Sequence, residues 1–207
     1  MCGATGAIYA IRLLEILREL EVETHLVISK WAEETIKYET DYKVADVRKM
    51  ADHCHNLQDQ YAPISSGSFQ HDGMIIVPCS MKTLAAVRIG YGDDLVARAA
   101  DVTLKERRKL VSDLRSPKSC IEVSRFPSQV IVARETPLSD IHLENMLSLT
   151  RSGAIIFPPV PAFYTRPESL DDMINQSVGR MLDMFGLEWD GFERWNGAKK
   201  GTKSNGV

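Results

Sequence analysis

Short apolar runs alternate with amphipathic segments along the chain. The run from Met74 to Val77 is continuous and rich in β-branched residues, which predicts a strand buried on both faces of a parallel sheet. Further strands are predicted at residues 22–28, 130–132 and 153–157, and helices at 8–20, 44–51, 94–109, 142–150 and about 169–185. Strands that alternate with helices predict an α/β fold with a doubly wound, three-layer parallel sheet.

The central strand leads into a turn with the features of an anion-binding site. Pro78 lacks an N–H group and is expected to end the strand ladder, while Ser80 is a natural N-cap for a helix over residues 84–87. Hydroxyls, backbone N–H groups and the positive helix end would then meet at the carboxyl edge of the sheet, which suits phosphate or an anionic ring. A capping serine without a ligand explains the same pattern. Polar clusters at other predicted strand ends (3–6, 29–30, 134–135 and 158–164) favour a site.

The beginning of the chain departs from the usual pattern. A glycine-rich turn at residues 3–7 opens the first helix, and such turns normally follow a buried strand. Met1 and Cys2 are all that precedes this turn, so we expect the sheet to lack its first strand, as in a truncated sequence. Further along, Asp93 is predicted to cap the helix at 94–109, and Trp31 is expected to pack rather than to stack on a cofactor.

Composition narrows the class of protein. The chain has 207 residues, of which 44% are hydrophobic and 26% charged, and its net charge of −3 gives no basic surface for nucleic acid. Its apolar runs are too short to span a bilayer. Four cysteines without a C-x-x-C pair indicate free thiols in a reducing compartment. His53 and His55 flank Cys54, but alternate residues rarely converge on one ion and no second cluster completes a ligand set, so no metal site is predicted.

Nine short segments carry a specific resemblance. They are Gly-Ala-Thr-Gly-Ala (3–7), Ser-Lys-Trp-Ala (29–32), Pro-Cys-Ser-Met-Lys-Thr-Leu (78–84), Arg-Ala-Ala-Asp-Val (98–102), Lys-Glu-Arg-Arg-Lys-Leu (105–110), Arg-Glu-Thr-Pro-Leu (134–138), His-Leu-Glu-Asn-Met (142–146), Pro-Ala-Phe-Tyr (161–164) and Gly-Arg-Met-Leu-Asp (179–183). Together they extend over nearly the whole chain. On these segments the sequence resembles the UbiX/Pad family of flavin prenyltransferases, formerly described as phenolic or hydroxyarylic acid decarboxylase subunits.

The resemblance implies a fold, a reaction and partners. The fold would be flavodoxin-like, and the reaction would join a dimethylallyl group from dimethylallyl phosphate to N5 and C6 of reduced FMN. The resulting prenylated FMN would serve as the cofactor of a UbiD-type aromatic acid decarboxylase. The resemblance further implies a homo-oligomer, commonly a dodecamer, with sites at subunit interfaces and with no metal.

The resemblance also assigns residues to the site. Positions that match FMN-binding residues are Gly3, Ala4, Thr5, Ser29, Ser80, Met81, Lys82, Thr83 and Arg134. Positions that match the surroundings of the prenyl phosphate, where cations would stabilise the leaving phosphate, are Arg98, Lys105, Tyr164 and Arg180. Glu135 matches the family's acid/base residue, and Arg98 and Lys105 share the catalytic assignment. Glu39 and Trp195 lie at family-like spacings near the site. Taken singly, each charged residue could equally form a surface salt bridge.

Two features depart from the family. The first strand is absent, and residues 111–129 interrupt a segment that otherwise runs from Leu110 directly into Val130. We interpret these residues as an unspliced intron carried into the sequence, with a genuine surface loop as the alternative. The predicted domains are therefore a flavin prenyltransferase domain at 1–195, with an atypical insertion at about 111–129, and a disordered tail at 196–207.

Two other functions stay open at this point. A flavin-dependent decarboxylase of cysteine-derived substrates would share the fold type, but it has no prenyl phosphate to hold. A catalytically inactive subunit would bind FMN without turnover. The sequence also leaves open the downstream aromatic acid and the choice between a phosphate and a pyrophosphate donor. We expect the protein in the cytoplasm, or in the mitochondrion if the natural N-terminus is longer.

Overall fold

The computed structural model describes residues 1–107 and 129–197. The helices within these ranges are α1 (Ala7–Glu19), α2 (Lys30–Glu39), α3 (Val44–Arg48), α4 (Met81–Ile89), α5 (Leu95–Glu106), α6 (Asp140–Arg151) and α7 (Leu170–Asp183). The strands are β1 (His25–Val27), β2 (His53–His55), β3 (Met74–Cys79), β4 (Gln129–Ala133) and β5 (Ile155–Ile156). Short 3₁₀ turns occur at Pro63–Ser65 and Phe163–Thr165. None of the helices in these two ranges has the length and apolar character that crossing a membrane requires.

All the strand pairs are parallel, and they form two sheets. One sheet contains β1 and β2, with His25 opposite His53, and the other has the strand order β3-β4-β5. The predicted parallel α/β fold is therefore confirmed. The β2 strand was not predicted, because its three residues carry imidazole and thiol side chains in a polar stretch and no apolar run marks them.

Alternate residues of β4 point into two different hydrophobic cores. Val130 and Val132 pack with residues of α1, α2 and α7, whereas Ile131 and Ala133 pack with residues of α4, α5 and α6. This alternation follows from the two-residue period of a strand, and every residue of β4 is buried as a result. Helices on both faces of the sheet give the three layers that the sequence predicts.

Met1 and Cys2 connect the two sheets. The Met1 ammonium group donates a hydrogen bond to the Val27 carbonyl at 2.7 Å, and the Met1 carbonyl accepts one from the Ser29 N–H at 3.1 Å. The Cys2 N–H donates to the Pro78 carbonyl at 3.1 Å. Behind these residues a cavity of about 610 Å³ lies between β1 and β3, lined by side chains of both strands and of α1. The described residues contain no strand ahead of α1.

Two local predictions were wrong. The β3 strand continues through Pro78 to Cys79, because the pairing register shifts after Ile76 and the missing N–H of proline interrupts no regular ladder bond. The N-cap of α5 is Asp94 rather than Asp93, since its carboxylate accepts from the Ala97 N–H at 2.9 Å, the spacing that a helix cap requires.

Several predictions fall on residues that the structure leaves undescribed. A strand beginning at Leu110 lies outside the described residues, as does the predicted insertion except for its last residue, Gln129. The predicted tail at 196–207 is described for its first two residues. The domain bounds derived from the sequence therefore stay predictions.

Candidate active site

Three strands end in polar residues at one edge of the fold. Ser29 follows β1, Ser80 follows β3 and Arg134 follows β4. Backbone hydrogen bonds hold these ends together: the Ser29 N–H donates to the Met1 carbonyl at 3.1 Å, and the Arg134 N–H donates to the Cys79 carbonyl at 3.5 Å. The positions matched to FMN binding thus lie side by side at the carboxyl ends of parallel strands, where ligands of α/β proteins bind.

The two serines at this edge are helix caps, and the cap at Ser80 was predicted. The Ser29 hydroxyl accepts from the Ala32 N–H at 3.1 Å at the start of α2. The Ser80 hydroxyl accepts from the Thr83 N–H at 3.4 Å at the start of α4. The hydroxyl oxygens of Ser80 and Thr83 are 3.2 Å apart. Met81 and Lys82 form the first turn of α4. The positive ends of two helices therefore face the edge, an arrangement that favours an anionic ligand.

Glu39 binds the start of α1. Its carboxylate accepts hydrogen bonds from the N–H groups of Gly6, at 2.8 Å, and Ala7, at 3.0 Å. Partial burial acts to raise the pKa of Glu39, but hydrogen bonds from the Thr5 hydroxyl and these two N–H groups, with the charge of Arg134, bring that pKa below its ordinary value. Glu39 is therefore a charged cap that fixes the glycine-rich turn beside the strand ends.

Arg134 lies across the same turn. Its guanidinium carbon is 5.2 Å from the centre of the Tyr9 ring, and its Nε is buried without a hydrogen-bond partner among the described residues. A Cβ atom on Gly6 would lie 2.8 Å from the Cδ and 2.9 Å from the Nε of Arg134, so glycine is required for this close approach. A buried, unused N–H donor at the strand ends suits a hydrogen-bond acceptor of a bound flavin.

A surface cavity of about 480 Å³ adjoins the glycine-rich turn. Gly3 and Thr5 of the turn line it, together with residues of α2 that include Trp31, Tyr38 and Glu39. The prediction that Trp31 packs was wrong: 76% of its surface is exposed, because its backbone and Cβ lie against Gly3 and leave the ring outside the core. Tyr38, which the sequence analysis did not single out, is 94% exposed. Exposed aromatic rings beside a cavity suit a planar or apolar ligand.

Two of the residues matched to phosphate binding lie on α5. Arg98 donates through Nε to the Ser65 carbonyl at 3.2 Å and through Nη1 to Asp101 at 3.3 Å. Lys105 is two helical turns further on the same face, and its Nζ is 2.6 Å from a carboxylate oxygen of Glu106. Both cations are partly exposed and each has a carboxylate partner on its own helix.

The other two phosphate-matched residues lie near α7. Tyr164 accepts a hydrogen bond from the Gln176 side chain at 3.3 Å, and its ring meets the Trp195 ring edge-on at 5.7 Å. Arg180 pairs with Asp183 at 3.2 Å. The Asp183 carboxylate also accepts two hydrogen bonds from the Arg194 guanidinium. Sequence reasoning missed Gln176 and Arg194, because nothing in their spacing distinguishes them from other helix and tail polar residues.

Glu135 follows Arg134 at the end of β4. It is exposed, and its carboxylate accepts a hydrogen bond from the Thr136 N–H at 3.1 Å. An exposed carboxylate beside the strand ends can accept a proton from a ligand held there. Its position agrees with the assigned acid/base role, which stays a prediction.

Comparison with known proteins identifies the family. The sequence model of the Flavoprotein family matches residues 1–181. The flavin prenyltransferase PAD1, mitochondrial, of Saccharomyces cerevisiae is 59% identical over 197 residues, which are 95% of this chain and 74% of that protein. The chain belongs to the UbiX-like flavin prenyltransferases.

Solved structures of UbiX-like proteins superpose closely on this chain. The crystal structure of AnUbiX (PadA1), in complex with FMN and dimethylallyl pyrophosphate, has a TM-score of 0.86 at 59% identity, with 96% of each chain covered. A dodecameric FMN-dependent UbiX-like decarboxylase from Escherichia coli O157:H7 has a TM-score of 0.84 at 52% identity and covers 95% of this chain and all of that one. FMN-dependent cysteine decarboxylases match at 15% identity or less, which shows the fold alone.

Within this UbiX-like chain the predicted site residues fall into three groups. The positions matched to FMN, together with Glu39, surround the glycine-rich turn and the strand ends. Arg98 and Lys105 contact the loop at 65–68 and carboxylates of α5. Tyr164, Arg180 and Trp195 contact partners near α7 and the segment that follows it. The two phosphate-matched groups thus have separate partners in one chain.

Proposed function

We propose that this chain is a flavin prenyltransferase that transfers the dimethylallyl group of dimethylallyl phosphate to N5 and C6 of reduced FMN. One observation carries the proposal: the positions matched to FMN binding lie together at the carboxyl ends of β1, β3 and β4, where the Nε of Arg134 is buried without a hydrogen-bond partner among the described residues. High identity to named flavin prenyltransferases supports the same activity. The cysteine decarboxylase alternative has only a likeness of fold in its favour.

The binding residues have distinct proposed tasks. The start of α4, from Ser80 to Thr83, offers N–H groups and a positive helix end to the anionic part of the flavin nucleotide. Arg134 donates through Nε to a flavin acceptor. Glu39 keeps the glycine-rich turn in place beneath the ligand. When bound in its reduced form, FMN supplies the two nucleophilic atoms of the reaction.

The remaining residues would act on the prenyl donor and on a proton. Arg98, Lys105 and Arg180 stabilise the negative charge that develops as the carbon–oxygen bond breaks and phosphate leaves, and Tyr164 donates a hydrogen bond to the same group. Glu135 accepts the proton that C6 loses when the new ring closes. The products are prenylated FMN and inorganic phosphate.

We further propose that the phosphate site is completed between subunits. Arg98 and Lys105 have partners in the loop at 65–68 and on α5, whereas Tyr164 and Arg180 have partners on α7 and in the segment that follows it. A related structure is dodecameric. Exposed apolar side chains just before α6 and along it offer a surface for such assembly. These side chains belong to Leu138, Ile141, Leu143 and Leu147.

The product is proposed to pass to a UbiD-type decarboxylase of aromatic acids. The recipient can be tested by adding the reaction mixture to a UbiD-type apoenzyme and measuring the release of carbon dioxide from an aromatic acid. The proposed compartment is the cytoplasm, or the mitochondrion for a natural chain with a longer N-terminus. The yeast relative's name includes the word mitochondrial.

The deciding experiment is an anaerobic incubation of the purified chain with reduced FMN and dimethylallyl phosphate. Mass spectrometry of the extracted flavin is expected to show one added dimethylallyl unit. Parallel reactions with dimethylallyl pyrophosphate distinguish the two donors. Glu135→Gln is expected to bind FMN normally but to form little prenylated product, and Glu19→Gln at the exposed end of α1 serves as the matched control. Tightly bound but unmodified FMN in the unaltered chain would contradict the proposal and favour an inactive FMN-binding subunit.

A further inference from the structure

Three side chains from the β1–β2 sheet and the segment before it converge on one point. The Nε2 of His53 is 3.0 Å from a carboxylate oxygen of Glu23, and the Nε2 of His25 is 3.6 Å from the same oxygen. The ligand atoms of all three side chains lie within 4.8 Å of one another. The parallel pairing of His25 with His53 places the two imidazoles on neighbouring strands, a convergence that spacing along one strand does not reveal.

A second layer of contacts orients His25. Its Nδ1 is 2.9 Å from the Nε2 of His55, which leaves the Nε2 of His25 directed toward Glu23. The rings of His25 and His55 stack with their centres 5.1 Å apart, and the Phe69 ring meets His25 edge-on at 5.2 Å. These contacts hold the His25 ring in one orientation, as the outer contacts of metal-binding histidines do.

We propose that Glu23, His25 and His53 bind a divalent transition metal ion of the Zn²⁺ type. Bonds from zinc to nitrogen or oxygen of about 2.0–2.2 Å place tetrahedral ligand atoms about 3.3–3.5 Å apart. The observed separations of 3.0 and 3.6 Å lie on either side of that spacing. Two imidazoles and one carboxylate leave the fourth position for water.

The ion would have a structural role. His25 and His53 are the first residues of β1 and β2, whereas the residues matched to FMN follow the last residues of β1, β3 and β4. The metal ion would therefore lie at the opposite end of the strands from the flavin edge. It would cross-link a sheet of two three-residue strands to the segment that leads into β1.

Zinc titration tests this proposal. All measurements use a Cys54→Ser background, because Cys54 lies between His53 and His55 and an exposed thiol is itself a zinc ligand that would complicate the titration. After dialysis against a chelator, isothermal titration with Zn²⁺ is expected to give one site per chain. We expect His53→Gln and Glu23→Gln to weaken binding by about tenfold or more, because each removes a ligand.

The matched control is His142→Gln. His142 belongs to the capping box of α6 and lies outside the cluster, and glutamine can perform the same capping role, so zinc affinity is expected to stay unchanged. Co²⁺ provides a second readout, since its visible ligand-field absorption should appear in the parent chain and disappear in His53→Gln. Both altered side chains are largely exposed, and circular dichroism verifies that the variants fold. Absence of zinc binding, or equal affinity in the parent chain and both ligand variants, would overturn the proposal.

Discussion

Arg134 holds a buried donor that no described residue uses, and its position depends on Gly6. The glycine has a φ of +99°, and the arginine side chain passes directly over it. Two separate requirements therefore select glycine here: the left-handed backbone and the space for Arg134. Gly153 has the left-handed backbone without a neighbouring side chain, so a comparison of the two glycines separates these requirements.

Gly6→Ala is expected to weaken FMN binding, because its new methyl group displaces the side chain of Arg134. Strain from the positive φ should also lower the free energy of unfolding by about 1–2 kcal/mol. Gly153→Ala is the matched control, since Gly153 has a φ of +98° with nothing within 4 Å of an added Cβ. Fluorescence titration with FMN should show weaker binding for Gly6→Ala alone, although both variants lose similar stability in urea. Equal FMN affinity in the two variants would contradict the assigned role of Arg134.

Gln129 is a buried polar residue at the start of β4. Its side-chain oxygen has no hydrogen-bond partner among the described residues, and its nitrogen is 3.8 Å from the sulfur of Met74. If residues 111–129 were absent, Leu110 would precede Val130 directly and would occupy this apolar position. A buried polar side chain at this position thus agrees with the interpretation of these residues as an insertion.

Gln129→Leu is expected to stabilise the protein by about 1–3 kcal/mol, since it removes a buried oxygen without a partner. Urea unfolding followed by circular dichroism measures the change. Gln58→Leu on the exposed surface is the control and should change stability little. A loss of stability in Gln129→Leu would show that the amide makes a favourable contact beyond the described residues.

Glu39 gives the stability of the fold a dependence on acid. Its pKa in the folded chain lies below the ordinary value of 4.5, so its stabilising effect is complete above that pH and is lost as the pH falls through the lowered folded pKa. The stability difference between the unaltered chain and Glu39→Gln should therefore be largest near neutral pH and should shrink below about pH 4.5. Urea unfolding from pH 7 to pH 3 measures it. A difference that is constant over this range would exclude a charged cap.

At the scale of elements, caps and buried strands were predictable, and polar strands were not. The hydroxyl cap at Ser80 depends on local spacing, so the sequence analysis found it, and the same spacing occurs at Ser29. The β2 strand was not predicted, because its stability comes from pairing with β1 and packing around His25 rather than from an apolar run. For the same reason the convergence of histidines was invisible until the two strands were placed side by side.

The helix α5 supplies the clearest test of the phosphate assignment. Lys105→Met is expected to lower the rate of prenyl transfer by about 10²–10³-fold, because it removes one cation from the leaving phosphate. FMN binding should be unchanged, since Lys105 lies outside the group at the strand ends. Lys49→Met is the control, as Lys49 forms a comparable surface pair with Asp46 away from the strand ends and the adjoining cavity. An equal rate in the two variants would show that the pair of Lys105 and Glu106 is a surface salt bridge.

At the scale of the whole molecule, the sequence predicted the layers but left the grouping of the phosphate residues unresolved. Alternation of apolar strands and helices is a local property, whereas the proposed meeting of α5 residues with Tyr164 and Arg180 would depend on how chains assemble. The residues of the glycine-rich turn, by contrast, were placed correctly beside the strand ends, because parallel strands direct their carboxyl ends to one edge.

The hydrogen bonds of Met1 and Cys2 to both sheets also fix the direction in which the chain runs at its first residues. The Met1 carbonyl and the Cys2 N–H bond to residues just beyond β1 and near the end of β3, so these two residues run parallel to both strands. Any chain attached to the Met1 nitrogen would therefore enter the cavity in the orientation of a parallel strand. Five or six apolar residues added there would join the described sheets of two and three strands into one continuous sheet of six strands.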